Sequence, residues 1–195
     1  MNDGIRIYLC GTHSSGKTTL ARWTADTYGI PLISEVARAV LAEMETDLVS
    51  LRTNLKFVRD YQQKIFKRQV AAEEKAGPTF VADRSGLDNL AYAACHSISL
   101  ADIIREENVW EYAKRLQAQN AIVFFVRPHR DLLKEDGVRA IGSWEEINKI
   151  DGMVTLLLEM NNIDYISIDT SSMATRARSV RAALNAAGVK PLNTK

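Results

Sequence analysis

A glycine-rich stretch near the start of the chain has the residue types and spacing needed to hold phosphate groups. Residues 11–18 read GTHSSGKT and match the pattern G-x-x-x-x-G-K-[ST] at every fixed position. The glycines let backbone N–H groups turn inward around phosphate oxygens, and a helix N-terminus adds partial positive charge. Lys17 can bridge the β- and γ-phosphates of a nucleoside triphosphate, and the Thr18 hydroxyl can ligate Mg²⁺. The predicted phosphate-binding residues are Gly11, Ser14, Ser15, Gly16, Lys17, Thr18 and Thr19.

A carboxylate that can work with this loop follows in the segment VADRS, residues 81–85. Asp83 ends a short apolar run that reads as a strand, which places its carboxylate beside the phosphate loop. We expect it near Mg²⁺ or the water shell of the ion. The alternative is that Asp83 caps the helix that follows.

A second acid, Glu35 in the segment SEVAR, follows another predicted strand. A carboxylate here would face the acceptor side of the site and could accept the proton of an attacking hydroxyl. The alternative is a glutamate in the first turn of a helix, where it stabilises the helix dipole.

Arginines follow the fourth predicted strand, at Arg127, Arg130 and Arg139, the last in the segment DGVR. Phosphoryl transfer spreads negative charge over the oxygens of the group in transfer. A segment that brings arginines over those oxygens would stabilise the charge and exclude water. A solvated arginine-rich loop is the alternative.

Short apolar runs alternate with longer helical patterns, and these elements must position the candidate residues. The predicted strands are Ile5–Cys10, Pro31–Ser34, Thr79–Asp83, Ala121–Val126 and Tyr165–Ile168. The predicted helices are Gly16–Tyr28, Val36–Met44, Asn54–Lys75, Leu87–His96, Leu100–Gln117 with a break near Asn108, Ser143–Asn161 with a capping box of Ser143 and Glu146, and Met173–Ala187. This alternation predicts an α/β domain with a parallel sheet, in which ligands bind at the carboxyl ends of the strands. Every motif above lies at such an end.

The composition is that of one globular domain. The chain has 195 residues, of which 46% are hydrophobic, and 25 basic and 24 acidic residues give a formal net charge of +1. These values exclude a disordered chain and a surface that binds nucleic acid throughout, although a local basic groove remains open.

Cys10 and Cys95 form no CxxC pair and are expected to be reduced and buried. We find no signal peptide and no apolar run near the roughly 20 residues of a membrane helix, so we expect a cytoplasmic protein with no membrane contact.

The motifs together resemble those of the P-loop nucleoside and nucleotide kinases, above all the ribosylnicotinamide kinase domain and small AAA-type kinases. The segments concerned are GTHSSGKTTLA, SEVARA, VADRS and DGVR, and the resemblance extends from Ile5 to about Ala187. DRSGLDNLAYA also resembles the Asp-Arg segment of thymidylate kinases and the acid-Arg-Ser segment of deoxynucleoside kinases. The sequence departs from both groups, because Asp83 stands where deoxynucleoside kinases carry Glu and Ser85 where thymidylate kinases carry Tyr.

This resemblance implies a single three-layer domain over residues 1–195, with a five-stranded parallel sheet of order 2-3-1-4-5. It implies a lid between strands 4 and 5, at about 127–145, and acceptor-side helices at about 36–76. It also implies Mg²⁺ and ATP, or a similar triphosphate, as cofactor and phosphate donor. The catalytic residues it implies are Lys17, Glu35, Asp83, Arg84 and Arg139, with Thr18 and Asp83 near the metal.

Further basic residues lie on two predicted helices. Those on the acceptor side are Arg52, Lys56, Arg59, Lys64, Lys67 and Arg68, interleaved with the aromatic residues Phe57, Tyr61 and Phe66. They could hold a nucleotide phosphate and stack a base, but a solvated charged face is the default, with Phe57, Tyr61 and Ile65 as ordinary core. The last helix carries Arg176, Arg178 and Arg181, for which a solvated face is again the expectation.

These observations favour an enzyme that transfers the γ-phosphate of a triphosphate to a hydroxyl of a nucleoside-type acceptor. The sequence lacks the N-K-x-D signature of a GTPase, and a large ATPase would need more chain. Some phage-encoded relatives of these kinases act on a hydroxymethylated pyrimidine within DNA, so the acceptor remains open between a free nucleoside or nucleotide and a DNA base. A nucleotide-switched NTPase or regulatory module is the rival. The oligomeric state, a dimer included, is also open.

Overall fold

The five strands form one parallel sheet. A computed structural model describes residues 4–34, 36, 39–40, 55–95, 108–132 and 143–192. The strands are β1 (Arg6–Cys10), β2 (Leu32–Ile33), β3 (Phe80–Asp83), β4 (Ala121–Val126) and β5 (Ile166–Ile168). Their order is β2-β3-β1-β4-β5, and all four pairings are parallel. The predicted order is therefore confirmed.

Helices cover both faces of this sheet. The α-helices are α1 (Lys17–Tyr28), α2 (Leu55–Ala76), α3 (Gly86–Cys95), α4 (Val109–Gln117), α5 (Trp144–Met160) and α6 (Met173–Ala186), and a short 3₁₀ turn covers Arg130–Leu132. Helices α1 and α6 pack on one face, and α2, α3, α4 and α5 on the other. On β1, Ile7 and Leu9 join the first face while Tyr8 and Cys10 join the second. The central strands are buried on both sides, which explains why they read as continuous apolar runs.

The observed elements lie within one or two residues of most predicted ones, and β4 coincides with its prediction. Ser143 caps α5 as expected, because its side chain accepts the N–H of Glu146 at 3.1 Å. Helix α4 begins after Asn108, which has a left-handed φ of 51° and lies where the break was predicted. Residues 100–107 of that predicted helix lie outside the described residues. Of the predicted helix Val36–Met44, only Val36, Ala39 and Val40 lie among the described residues, and all three are helical.

Both cysteines are unpaired: Cys10 is fully buried and Cys95 is half-buried. None of the helices in the described part of the chain is long and apolar enough to cross a membrane.

Candidate active site

The phosphate loop leaves the end of β1 and enters α1 in a conformation that requires its glycines. Gly11 has a φ of +134°, and a Cβ there would lie 2.4 Å from the carbonyl oxygen of Val126 on β4. Gly16, which precedes α1, has a left-handed φ of +85°. Because L residues rarely adopt these angles and glycine adopts them readily, backbone geometry alone favours glycine at both positions.

Lys17 lies against this loop and is buried. Its ammonium group donates to the carbonyl oxygen of Thr12 and, at 3.0 Å, to the hydroxyl of Ser15. The charge of Lys17 is therefore held at the loop by oxygen atoms.

Thr18 and Asp83 meet between α1 and β3. The Thr18 hydroxyl donates to the Asp83 carboxylate, with 2.6 Å between Oγ1 and Oδ2. Asp83 is buried at the end of β3, opposite Leu9 in the β1–β3 register. These two oxygen donors suit Mg²⁺, which takes one or two protein carboxylates and completes its shell with water and phosphate. The described residues contain no group of three or more His, Cys, Asp or Glu that could hold a metal ion.

Arg84 is buried and has a strained backbone, with a φ of +93°. Its guanidinium donates to the carbonyl oxygen of Gly11 at 3.3 Å and lies over the ring of Tyr92, 5.1 Å from the centroid. Strain of this kind persists where the surrounding structure enforces it, as at binding and catalytic sites. Arg84 thus lies next to the phosphate loop.

Asp88 is a site residue that our sequence reasoning did not single out. It is fully buried on α3 and accepts the N–H of Gly11 at 2.6 Å. Its second oxygen accepts the N–H and the hydroxyl of Ser85, each at 2.7 Å. The only available sequence signal was its spacing, five residues after Asp83.

Arg127 and Arg130 each contact side chains near them in the fold. Arg127 forms an ion pair with Asp151 on α5 at 2.7 Å and lies over the ring of Phe125. Arg130 lies over the ring of Trp144, 5.1 Å from its centroid. Glu35 and Arg139, together with the rest of the DGVR segment, lie outside the described residues, as do Arg52 and the side chains of Lys56 and Phe57.

The expectation of a solvated face was wrong for Arg176, which is only 1% exposed. Its guanidinium donates to the carbonyl oxygen of Ser15 in the phosphate loop and, at 2.6 Å, to that of Thr170 after β5. Burial lowers the pKa of this guanidinium, which has no carboxylate partner among these contacts. Arg178 on the same helix is exposed, as expected.

A buried polar network lies beneath the turn that follows β3. Glu73 on α2 accepts the hydroxyl of Tyr112 at 2.7 Å and the amide of Gln69 at 2.9 Å. Tyr112 in turn accepts the N–H of Gly86, and Gln69 donates to the carbonyl oxygen of Arg84. Burial raises the pKa of the Glu73 carboxyl above its usual range.

On helix α2, Ile65 and Tyr61 are buried, as predicted for core positions.

A family model described as "AAA domain" matches residues 6–176. A search of curated proteins gave no significant match. Among solved structures, a NadR protein in complex with NR has a TM-score of 0.75 at 18% identity, over 99% of this chain and 54% of that one. The present chain thus spans about half the length of that protein.

Two further solved structures match this chain over all or nearly all of their own length. A deoxyadenosine kinase from M. mycoides with bound dCTP has a TM-score of 0.68 at 14% identity, over 93% of this chain and 100% of that one. A shikimate kinase from Acinetobacter baumannii in complex with shikimate has a TM-score of 0.56 at 15% identity, over 96% of each chain. These matches confirm the predicted fold, that of the P-loop kinases.

Proposed function

This chain belongs to the AAA domain family, and from that premise we propose that it is a kinase. It transfers the γ-phosphate of ATP, or of a similar triphosphate, to a hydroxyl of a nucleoside-type acceptor. The observation that carries this proposal is the meeting of Thr18 and Asp83 at 2.6 Å beside the phosphate loop and Lys17. Support for the acceptor class comes from solved structures of similar fold, one bound to NR and one a deoxyadenosine kinase.

The catalytic work of this chain is positioning and neutralisation of charge, since phosphoryl transfer needs little covalent help from the protein. Backbone N–H groups of the phosphate loop bind the phosphates, and Lys17 neutralises the β- and γ-phosphates. Thr18 and Asp83 hold Mg²⁺, which when bound supplies further neutralisation of the phosphate charge. Arg84, already next to Gly11, binds phosphate oxygens on the acceptor side.

Glu35 and Arg139 complete the proposed site. Glu35 accepts the proton of the acceptor hydroxyl, and Arg139 covers the group in transfer and excludes water. If Glu35 is the base, Glu35→Gln lowers turnover by about 10²-fold or more while triphosphate binding is kept. Turnover at a near wild-type rate would instead assign proton removal to another group, Asp83 being the first candidate.

The acceptor is identified by a screen with γ-labelled triphosphate. The acceptors are free nucleosides, nucleoside monophosphates, ribosylnicotinamide, and DNA with and without hydroxymethylated pyrimidines. Lys17→Ala is the control for label transfer by this site. We expect one nucleoside-type arm to take up label, and a DNA arm that does so only with the modified base would identify a DNA-modifying kinase. Slow hydrolysis that no arm accelerates would instead favour the nucleotide-switched module.

A further inference from the structure

Helix α3 places two side chains one helical turn apart on the face that meets the phosphate loop. Asp88 accepts the N–H of Gly11 at 2.6 Å, and the Tyr92 hydroxyl accepts the N–H of His13 at 2.7 Å. Residues four apart on a helix lie on the same face, so one rigid element holds two points of the loop.

We propose that Asp88 and Tyr92 are positioning residues that clamp the first half of the phosphate loop and set its geometry for triphosphate. The part of this proposal that concerns triphosphate binding does not need phosphoryl transfer. Its catalytic consequence, the placing of Arg84, rests on the proposed function.

The Asp88 carboxylate connects the loop to the turn after β3. One oxygen accepts from Gly11 and the other from the N–H and hydroxyl of Ser85, at 2.7 Å each. Hydrogen bonds to a charged acceptor are shorter and stronger than those between neutral groups, and full burial removes competition from water. The loop and the residue after Arg84 are therefore fixed to the same side chain.

Tyr92 makes the corresponding connection to Arg84. The Arg84 guanidinium lies over the Tyr92 ring, 5.1 Å from its centroid, and donates to the carbonyl oxygen of Gly11. Displacement of Tyr92 would release both His13 and Arg84. The clamp thus couples the phosphate loop to the arginine expected on the acceptor side.

The proposed clamp also assigns a tautomer to the His13 ring. A tyrosine hydroxyl has one proton to donate and two lone pairs that accept. The hydroxyl accepts the backbone N–H of His13 and lies 2.9 Å from His13 Nδ1, which can act as an acceptor. Within the proposed clamp, Tyr92 uses its one proton to donate to Nδ1, so the imidazole carries its own proton on Nε2.

The test compares Tyr92→Phe, Asp88→Asn and the double variant with Tyr165→Phe. Tyr165 is the matched control, because its hydroxyl bonds an exposed carboxylate, Glu159, on α5. The measurements are the Kd for a fluorescent ATP analogue with Mg²⁺, the Tm, and the ¹⁵N spectrum of the His13 imidazole. Tyr92→Phe keeps the buried ring, so the proposal stays testable even if Asp88→Asn fails to fold.

We expect Tyr92→Phe to raise the Kd about tenfold and to replace the pure Nε2–H signature of His13 by a mixture of tautomers. Tyr165→Phe should change neither. A Kd within twofold of wild type together with an unchanged His13 spectrum would overturn the clamp. If Tyr92→Phe alters triphosphate binding and the wild-type chain transfers phosphate to no acceptor, the clamp is kept and the kinase is rejected.

Discussion

The hydroxyl of Thr18 donates to the carboxylate of Asp83 at 2.6 Å, and so joins the first turn of α1 to the end of β3. The two residues are 65 positions apart in sequence, and the parallel pairing of β1 with β3 brings them together. The first-turn acid of α3 is Asp88, which accepts the N–H of Ser85. Asp83 itself is thus directed to the phosphate loop, which favours the metal-binding interpretation over helix capping.

Asp83→Asn should lower triphosphate turnover by about 10²-fold, because an amide keeps the shape of the side chain but loses its charge toward Mg²⁺. The Mg²⁺ concentration for half-maximal rate should rise, whereas triphosphate binding without Mg²⁺ should change little. Steady-state kinetics over a Mg²⁺ titration measures the first two effects, and a triphosphate-binding titration without Mg²⁺ measures the third. The exposed Asp164 supplies the control, Asp164→Asn, which should behave as wild type. An unchanged Mg²⁺ dependence in Asp83→Asn would remove Asp83 from the metal site.

Gly11→Ala should destabilise the fold by about 3 kcal/mol or more, since its Cβ would lie 2.4 Å from a backbone oxygen at a φ of +134°. Gly152→Ala is the matched substitution, because Gly152 lies inside α5 and a Cβ there meets no atom within 4 Å. It should raise the free energy of unfolding by about 0.5–1 kcal/mol, the usual gain of alanine over glycine in a helix. Urea denaturation of both variants measures these changes. If Gly11→Ala were instead as stable as wild type, β4 would have to move away from the loop to make room for the Cβ.

The phosphate loop and the sheet were predictable because their signals are local. The spacing around Lys17 and the continuous apolar run of β4 depend on residues close together in the sequence. The surroundings of Arg176 were not predictable, because Ser15, its partner, lies 161 positions away. Helical periodicity placed Arg176 on a charged face, and only the packing of α6 against α1 buries it.

Arg176→Met should raise the Kd for triphosphate about tenfold, because the carbonyl oxygens of Ser15 and Thr170 lose a shared charged donor. The free energy of unfolding should change less, since the methionine also removes the cost of burying a charge. Arg178→Met on the exposed side of the same helix is the control. Isothermal titration and urea denaturation separate the two effects, and identical Kd values for the two methionine variants would contradict the role of Arg176 in holding the loop. Arg176→Lys should be intermediate, because an ammonium cannot reproduce the planar fork that spans both oxygens.

Glu73 should make the stability of the chain fall as pH rises above the ordinary carboxyl pKa. Burial raises its pKa above 4.5, so the folded chain keeps a proton that the unfolded chain has already released. The corresponding stabilisation is fully present below pH 4.5 and is lost as pH rises through the raised pKa. Each unit of that rise corresponds to about 1.4 kcal/mol at higher pH.

Glu73→Gln should remove this loss, because an amide stays neutral and its oxygen can still accept the hydroxyl of Tyr112. The difference in unfolding free energy between variant and wild type should therefore grow in favour of the variant from pH 4.5 to pH 8. Glu74→Gln is the control, since Glu74 is 61% exposed and its ion pair with Arg115 is screened by water. Urea denaturation across this pH range measures the difference. Arg115 also lies 3.7 Å from Glu73, and this attraction favours the charged carboxylate. A variant that loses stability relative to wild type as pH rises would show that the attraction of Arg115 exceeds the cost of burying the charge.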